Sequence, residues 1–495
     1  MSSSLHSRLQ KLQSRFTWDL KEEDMDLENL SIRLQEHIDL QLGQQSAVAL
    51  SYSFLAYVRY LQGRRQEAMS LLNQSEEKTR ECYGEESERR LIVTYGDQAW
   101  LKYHTGDYKQ SHSYCQRVDD ILVKYPAGST TVLHPEVYGE KAWTYLKCLN
   151  SYYPKAIDCF RKALELQPDD SEWNAGCAIA LYRTEPSDLE TSQEDEESPA
   201  IKQLRRALEI NPDDGVLLSM LALKLTAHKK HQEAEALVER ALEKDPDNPH
   251  AIRYIAKYLR IQGEDRWSID LLRRALKRTN QSAFIHHQLA MCYKKKQHKC
   301  KTSKAFNKQE VKQWKHLRIQ HLEEAVKIKP SFVVAIADLA LLHGQEMNLS
   351  RAEELFQQAF QNLATDKGAT QAFHLNYADF YLYHTKQEAK AIPHYIEGLR
   401  LTQDTWEWNS ALWSGQDSGF AFTESGSNNQ KLKMIAERHL SYDKNDAQSY
   451  GLLGLVAKAE GKKKKAEEFY EKALDCDENN DEYLSALCEL RMELQ

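Results

Sequence analysis

Residues that interrupt helices are scarce in this chain, which has 19 glycines and 11 prolines among its 495 residues. Because helix interiors disfavour both residues, their scarcity favours a largely helical protein. Long apolar runs are also lacking, since no stretch approaches 18 uninterrupted apolar residues and the first twenty residues contain no apolar signal segment. The sequence therefore predicts neither a membrane span nor a secretory signal.

Cysteine pairs of the CxxC type are absent, although nine cysteines are scattered along the chain. An odd number without close pairs argues against a disulfide framework or a zinc site and favours free thiols in a reducing compartment. Nucleophile-elbow, Walker-type and HExxH motifs are lacking too. These absences predict a soluble cytosolic protein that is not an enzyme and carries no cofactor of its own.

An overall positive charge is also lacking, because the formal net charge is −8. If an anionic ligand binds, the positive charge that attracts it must therefore be confined to one part of the surface. The chain is longer than one compact core usually holds, so several domains or an elongated array are expected.

What the chain does have is an internal repeat. Four segments end in an Ala-Leu pair followed by an acidic turn: AIDCFRKALELQPDD, AIKQLRRALEINPDD, EAEALVERALEKDPDN and KAEEFYEKALDCDENN. The recurring alanines are Ala163, Ala207, Ala241, Ala275, Ala325, Ala359 and Ala473. Several successive steps are 34 residues, the tetratricopeptide period of two antiparallel helices. Two longer steps contain an acidic insertion, TSQEDEES, and a basic one, KKKQHKCKTSK.

Such helical pairs bury their apolar stripes by stacking on their neighbours, which winds the array into a superhelix. Small residues recur where helices approach closely, at Ala142, Ala178, Ala222, Ala256 and Ala290. We predict an all-α tetratricopeptide-repeat superhelix of roughly eight to ten repeats, with weaker units near the N-terminus. Residues 483–494 are predicted to form a capping helix.

The repeat register places several cations and aromatic rings on the concave side. Trp143 and Lys147 lie one turn apart on one helix face. Arg253, Lys257 and Arg260 occupy the corresponding face of a later repeat. A net acidic protein has thus collected positive charge inside a concave surface, which attracts anions. Cations interleaved with aromatic rings are typical of surfaces that bind single-stranded nucleic acid.

Other interpretations stay open at this stage. A tryptophan in a repeat helix is more often part of the core, and a basic concave face suits acidic peptides as well as RNA. The run from Lys462 to Lys465 falls in a turn between helices, where a solvated charge run is the simplest interpretation.

Specific strings resemble the interferon-induced proteins with tetratricopeptide repeats. They include RFTWDL, AWTYLKC, AGCAIALYR, IRYIAKYLR, HHQLAMCYK and FYEKAL, and they span nearly the whole chain. Departures such as the acidic insertion after Arg183 point to a non-mammalian vertebrate member. The resemblance implies a clamp-like superhelix around a basic tunnel. It also implies a cytosolic antiviral effector that captures the 5′ end of foreign single-stranded RNA and blocks its translation.

The resemblance also implies roles for individual residues. The 5′ phosphates are assigned to Lys147, Arg33, His37, Arg183 and Tyr153. A cap guanine is assigned to Trp143, Ile179 and Glu172. The following nucleotides are assigned to Arg253, Tyr254, Lys257, Arg260, His287 and Gln288. Two positions depart from the family pattern: His37 stands where relatives often carry glutamine, and Val216 replaces a tyrosine, which implies weaker discrimination of 2′-O-methylated caps.

The predicted organisation has four parts. Residues 1–135 hold the N-terminal helices and first repeats, 136–283 the repeats that line the groove, 284–330 a pivot repeat with the basic insertion, and 331–495 the last repeats and capping helix. The segment YEKAL, from Tyr470 to Leu474, resembles a motif of family dimers, although packing within its own repeat is an equal interpretation.

The predicted ligand is single-stranded RNA with a 5′-triphosphate or a cap lacking 2′-O-methylation, and neither DNA nor a membrane is expected as a partner. Whether Mg²⁺ accompanies the RNA phosphates is left open. The rival hypothesis is a protein scaffold that assembles antiviral signalling partners. A clamp for chaperone tails would favour asparagine at positions where this chain has Trp143 and Ile179.

Overall fold

The computed structural model describes residues 2–41, 45–126, 133–185, 197–279, 282–302, 307–363, 367–400, 426–478 and 480–494. Within these ranges the regular structure is helical and contains no strand. The described residues form two compact units, the first through residue 279 and the second from Ser282 onwards. Helical pairs at the repeat spacing bear out the all-α tetratricopeptide prediction.

The helices of unit 1 follow the repeat pattern from the N-terminal region onwards. They are α1 Ser2–Leu9, α2 Leu27–Asp39, α3 Gln45–Leu61, α4 Arg65–Tyr83, α5 Ser87–Arg90, α6 Ile92–His104, α7 Tyr108–Lys124, α8 Pro135–Lys147, α9 Tyr153–Leu166, α10 Ser171–Thr184, α11 Pro199–Ile210, α12 Gly215–Ala227, α13 His231–Lys244, α14 Pro249–Gln262 and α15 Asp265–Arg278. The pairs α3–α4 and α6–α7 contain the two weaker repeats that the sequence predicts. Most of the acidic insertion after Arg183 lies outside the described residues.

The helices of unit 2 continue the same pattern. They are α16 Ala283–Thr302, α17 Lys308–Ile328, α18 Val333–Gln345, α19 Leu349–Gln361, α20 Lys367–Asp379, α21 Glu388–Arg400, α22 Gly426–Tyr442, α23 Ala447–Ala459, α24 Lys463–Cys476 and α25 Asp481–Leu494. A π-helical segment, Phe380–Thr385, directly follows α20. The predicted capping helix is α25, whose Tyr483, Leu487 and Leu490 are buried.

The recurring small residues are buried throughout, as the close approach of helices requires. Ala142, Ala178, Ala222 and Ala290 are each completely shielded from solvent. Two glycines mark still closer contacts around α10. A Cβ at Gly139 would lie 2.1 Å from Nε1 of Trp173, and a Cβ at Gly176 would lie 2.2 Å from the Phe160 ring. Because real Cβ atoms do not approach so closely, only glycine allows α8, α9 and α10 to pack this way.

The acidic turns between repeats start the following helices. Asp170 accepts a hydrogen bond from the backbone N of Trp173 at 2.9 Å, and Asp214 accepts one from that of Leu217 at 3.0 Å. Asn248 does the same at the start of α14. These side chains satisfy N–H groups that have no partner within the helix, so the PDD and PDN strings act as N-caps.

The segment between α1 and α2 is anchored in unit 1 by a buried arginine. Arg15 donates to Asp97 at 2.6 Å and to Glu140 at 2.7 Å, and only about 1% of its side chain is exposed. Burial lowers the pKa of Arg15, but Glu140 and Asp97 outweigh it and leave that pKa above its ordinary value. The two carboxylates therefore compensate the buried charge and fix the N-terminal segment against α6 and α8.

The basic insertion lengthens a helical hairpin. Helices α16 and α17 have 20 and 21 residues, whereas α18, α19 and α20 have 13 each. The seven or more extra residues add about 10 Å of helix at about 1.5 Å per residue. Residues 303–306, where the two helices connect, lie outside the described residues.

Candidate nucleic-acid interface

Four cationic side chains from four helices converge within unit 1. Arg33 comes from α2, Lys147 ends α8, Arg183 lies near the end of α10, and Arg253 lies in α14. Burial lowers the pKa of Arg33, and the nearby charges of Arg183 and Arg253 lower it further. Arg183 remains exposed, so the group is open to a ligand. We call these four residues the cationic cluster.

The pKa of Lys147 lies far below its ordinary value. Burial, followed by the charges of Arg33 and Arg15, lowers its pKa to about 7. Its Nζ donates to the Ser51 hydroxyl at 3.1 Å. The charged lysine is therefore disfavoured while the cluster holds no anion, and an anion beside it would restore the charge.

His37 joins the cluster as a neutral group. Its Nδ1 lies 3.1 Å from the hydroxyl of Ser51, so Ser51 links His37 to Lys147. Burial, then Lys147 and Arg33, lower the pKa of His37 to about 3. His37 can consequently offer hydrogen bonds near neutral pH but no positive charge.

Two carboxylates lie close to the cationic cluster. Burial raises the pKa of Glu36, whereas Arg33, one turn earlier on α2, lowers it. Glu172 is buried at the start of α10, and its charge raises the pKa of Lys147 against the other influences. The four cations of the cluster therefore outnumber Glu36 and Glu172.

Tyrosine rings surround the arginines of the cluster. The Arg183 guanidinium lies 5.8 Å from the Tyr153 ring centre, and that of Arg253 lies 4.7 Å from the Tyr254 ring centre. Arg253 also donates to the Tyr254 hydroxyl at 3.0 Å. Burial would raise the pKa of Tyr254, but Arg253 and Arg183 outweigh it and lower that pKa. These cation–π contacts hold the guanidinium groups in place.

Trp143 differs from the tryptophans of the core. Trp173 and Trp100 are 1% and 4% exposed, whereas Trp143 is half-buried. Trp143 packs edge-to-face on Phe160, with ring centres 5.4 Å apart, and Lys147 Nζ lies 6.0 Å from its ring centre. Its indole N–H is buried without a hydrogen-bond partner among the described residues. Trp143 therefore combines packing on the core with access to solvent, beside Lys147.

The remaining assigned residues of unit 1 lie on two of these helices. Ile179, half-buried on α10, packs on the same hydrophobic cluster as Trp143. Lys257 and Arg260 follow Arg253 at four and seven residues along α14, and both are half-buried. That spacing places all three cations on one face of the helix.

His287 and Gln288 belong to unit 2, where they lie near another polar group. Nε2 of His287 is 4.0 Å from Asp338, and its ring centre is 5.0 Å from that of Phe332. Asp338 also approaches Lys294 at 3.8 Å and the fully buried Arg318 at 3.7 Å. His287 thus lies among cations that share one carboxylate.

Sequence reasoning missed two residues that lie beside the cationic cluster. Ser51 lies on α3, and no spacing links it to Lys147, 96 residues away. His250 lies in the first turn of α14, and burial together with Arg253, His37 and Arg33 lowers its pKa well below the ordinary value. His250 could have been found, because it precedes Arg253 by three residues on the same helix face.

Neither a membrane-spanning helix nor a cluster of metal-ligating side chains occurs among the described residues. No helix there combines the length and apolarity that a bilayer crossing requires. Nor do three or more His, Cys, Asp or Glu side chains come together there as metal ligands would.

The fold and the cationic cluster define a tetratricopeptide-repeat protein with a basic, aromatic binding surface. Family models described as tetratricopeptide repeat match residues 199–258 and 447–480. The human antiviral innate immune response effector IFIT1 is 32% identical over 472 residues, which cover 94% of each chain. The chain belongs to the family of interferon-induced proteins with tetratricopeptide repeats.

Solved structures of human IFIT1 are similar as well. The human IFIT1 dimer with PPP-AAAA has a TM-score of 0.76, and the dimer with m7Gppp-AAAA has one of 0.79. Both are 30% identical to this chain and cover 95% of it and 99% of their own chains. The resemblance seen in the sequence strings is thereby confirmed at the level of the family and the fold.

Proposed function

We propose that this protein is a cytosolic antiviral effector that binds the 5′ end of single-stranded RNA and blocks its translation, without chemistry on the RNA. The observation that carries the proposal is the cationic cluster, in which burial and then the neighbouring cations lower the pKa values of Arg33 and Lys147. Such crowding costs free energy in the absence of an anion and is relieved by a polyphosphate. The human IFIT1 structures with PPP-AAAA and m7Gppp-AAAA support the same ligand class.

The side chains suit the parts of such a ligand in different ways. Arg33, Arg183 and Lys147 are assigned to the phosphates, because guanidinium groups offer paired donors and the ammonium a point charge. Neutral His37 and the phenol of Tyr153 are assigned to hydrogen bonds beside them.

The cap guanine is assigned to Trp143, with Ile179 and Glu172 beside it. A half-buried indole offers a face for a base, whereas the fully buried Trp173 does not. Glu172 is the acceptor that guanine N–H groups require.

Later nucleotides are assigned to half-buried residues of α14 and to residues of unit 2. On α14 the residues are Arg253, Tyr254, Lys257 and Arg260, which combine cations with an aromatic ring. In unit 2 they are His287 and Gln288.

The direct test compares RNAs of one sequence that differ only at the 5′ end: triphosphate, unmethylated cap, 2′-O-methylated cap, monophosphate and hydroxyl. We expect the triphosphate or the unmethylated cap to bind at least tenfold more tightly than hydroxyl RNA. Equal affinity for all five ends would refute recognition of the 5′ end. Parallel titrations with EDTA decide whether a divalent ion shares the phosphate charge.

Self-association is a second proposed activity, because human IFIT1 forms a dimer in its solved structures. In the segment from Tyr470 to Leu474, Tyr470 and Ala473 are buried within unit 2, where the Tyr470 ring lies 6.4 Å from that of Tyr483. Leu474 is half-buried, and Glu471 and Lys472 are exposed. Sedimentation of the wild type and of Leu474→Glu tests this proposal, which predicts that the variant is monomeric.

A further inference from the structure

The extended hairpin of α16 and α17 concentrates positive charge. Its described residues, 291–302 and 307–316, which we call the basic hairpin, contain eight lysines and a single acidic residue, Glu310. Their formal net charge is +7, whereas the whole chain carries −8, so the other residues together carry −15. Charge segregated this strongly on one short element marks an electrostatic contact surface. The lysines are Lys294, Lys295, Lys296, Lys299, Lys301, Lys308, Lys312 and Lys315.

Asp338 and Glu346 are two of the carboxylates that contact this hairpin. Lys315 pairs with Glu346, and Lys294 lies 3.8 Å from Asp338. Asp338 is already shared with Arg318 and His287. Within the hairpin itself eight lysines outnumber Glu310, so its own formal charge is positive.

An aromatic ring lies among the lysines. Trp314 of α17 is half-buried and stacks on the buried Tyr293 of α16, with ring centres 5.7 Å apart and an interplanar angle of 17°. The Lys296 ammonium lies 5.2 Å from the Trp314 ring centre, and the indole N–H donates to Glu310 at 3.2 Å. Trp314 is thus held in a fixed orientation while part of its surface stays accessible. Cations around a fixed aromatic ring suit a phosphate backbone with unstacked bases.

We propose that the basic hairpin is a second RNA-contact surface, which binds the phosphate backbone of the single strand downstream of its 5′ end. This inference rests on the proposed function and extends it from the terminal nucleotides to the body of the RNA. Lysine ammonium groups act on phosphates as point charges, so this contact is independent of base sequence.

An anionic membrane is the less favoured occupant of this surface. Amphipathic elements that bind membranes combine basic residues with exposed apolar side chains. Among the described residues, none of the large hydrophobic side chains that are well exposed comes from the basic hairpin.

The test combines a triple variant with RNAs of different length. Lys299, Lys308 and Lys312 are all exposed, and we replace the three with alanine. The matched control replaces Lys463, Lys464 and Lys465, three exposed lysines at the start of α24 in the same unit. Each protein is titrated with 5′-triphosphate RNAs of about 5 and about 40 nucleotides at several salt concentrations.

We expect wild type and control to bind the long RNA more tightly than the short one, with a steeper salt dependence. The hairpin variant should keep its affinity for the short RNA and lose the additional affinity for the long RNA. Because each contact with a single strand contributes about 0.7 to the salt slope, three lost contacts lower the slope for the long RNA by about 2.

The outcomes separate this inference from the proposed function. If no protein binds even the short RNA, recognition of the 5′ end fails. If the wild type binds both lengths and the hairpin variant retains the full gain with length, the second surface is refuted. Sedimentation with phosphatidylserine vesicles completes the test, because vesicle binding that the variant loses, without any effect of RNA length, would assign the hairpin to membranes instead.

Discussion

Two arginines of unit 1, Arg15 and Arg33, lie in opposite electrostatic surroundings. Arg15 contacts two buried carboxylates, and its pKa is raised in spite of burial. Burial lowers the pKa of Arg33, and the nearby charges of Arg183 and Arg253 lower it further. The first arrangement is complete without a ligand and stabilises the fold, whereas the second keeps an excess of positive charge that an anion would compensate. Burial alone therefore does not distinguish a structural arginine from a binding arginine, but the sign of the neighbouring charges does.

The largest effect is expected where the structural arrangement is broken. Arg15→Met would leave Asp97 and Glu140 buried without their cation, which costs about 3–5 kcal/mol of unfolding free energy. Urea denaturation followed by circular dichroism measures this loss. Arg33→Met is the matched control, because its removal relieves repulsion and should leave stability equal or higher. Equal destabilisation by the two variants would contradict the comparison.

RNA binding, in contrast to stability, should depend on the residues of the cationic cluster. Lys147→Ala or Arg183→Ala should weaken binding of 5′-triphosphate RNA by about 1.5–3 kcal/mol, the value of a charge-assisted hydrogen bond, and leave the fold intact. Fluorescence anisotropy at physiological salt measures the change. Lys141→Ala on the same helix is the control, since the Lys141 ammonium lies near Trp18 and Tyr145 instead. Wild-type affinity in both cluster variants would remove these residues from the phosphate site.

The two tryptophans of α8 and α10 offer a second contrast. Trp143→Ala should cost about 1–3 kcal/mol in binding capped RNA, have far less effect on triphosphate RNA, and leave the melting temperature nearly unchanged. Trp173→Ala should instead cost about 3–5 kcal/mol of stability, because it empties a core position. Thermal melting and parallel titrations measure both effects. A large drop in melting temperature for Trp143→Ala, with equal losses for both RNAs, would make Trp143 a core residue.

Lys147 also predicts a dependence on pH. Its pKa is about 7 without RNA, and a bound anion raises that pKa, so binding above pH 7 takes up a proton. Affinity for triphosphate RNA should therefore fall as the pH rises from 7 to 9, by at most tenfold per unit. Lys147→Arg should flatten the curve, because arginine stays charged over this range. Parallel curves for the two proteins would show that Lys147 does not titrate on binding.

The same lowered pKa acts on stability in the opposite sense. The unfolded chain holds the Lys147 proton up to its ordinary range near 10.5, whereas the folded chain releases it near 7. The free energy of unfolding should therefore rise between these values in the absence of RNA, and less so in Lys147→Met. Urea titrations at several pH values supply this comparison.

The smallest expected effect concerns Arg253 and Arg260 on α14. Arg253→Ala and Arg260→Ala should each reduce the salt slope of RNA binding by about 1 if they contact phosphates. Binding isotherms between low and physiological salt measure the slopes. A shallow wild-type slope together with a strong preference for RNA sequence would exclude phosphate contacts as the main source of affinity.

The repeat period was sufficient to predict much of this molecule. Spacing of 34 residues and recurring alanines predicted stacked helical pairs, because both follow from local packing requirements. The same register placed Trp143 beside Lys147 and placed Arg253 on one face with Lys257 and Arg260. These predictions succeeded because they concern residues within single helices.

Contacts between distant segments could not be predicted in this way. Arg15 meets Asp97 and Glu140, which lie 82 and 125 residues along the chain. Ser51 links His37 and Lys147 only after three helices have packed. Nor did the spacing reveal whether the basic insertion would form a loop or lengthen α16 and α17. Each outcome depends on tertiary packing that periodicity does not encode.

The distribution of the cationic cluster over four helices has a consequence for how such a protein diversifies. Each helix contributes one cation, and the small residues that fix the packing occupy other positions, as Ala142 does on α8 and Ala256 on α14. Ligand preference and folding are therefore encoded by separate sets of positions. During evolution, binding side chains can therefore be substituted one at a time. Specificity for RNA ends can change as viruses change, while the packing of the helices stays the same.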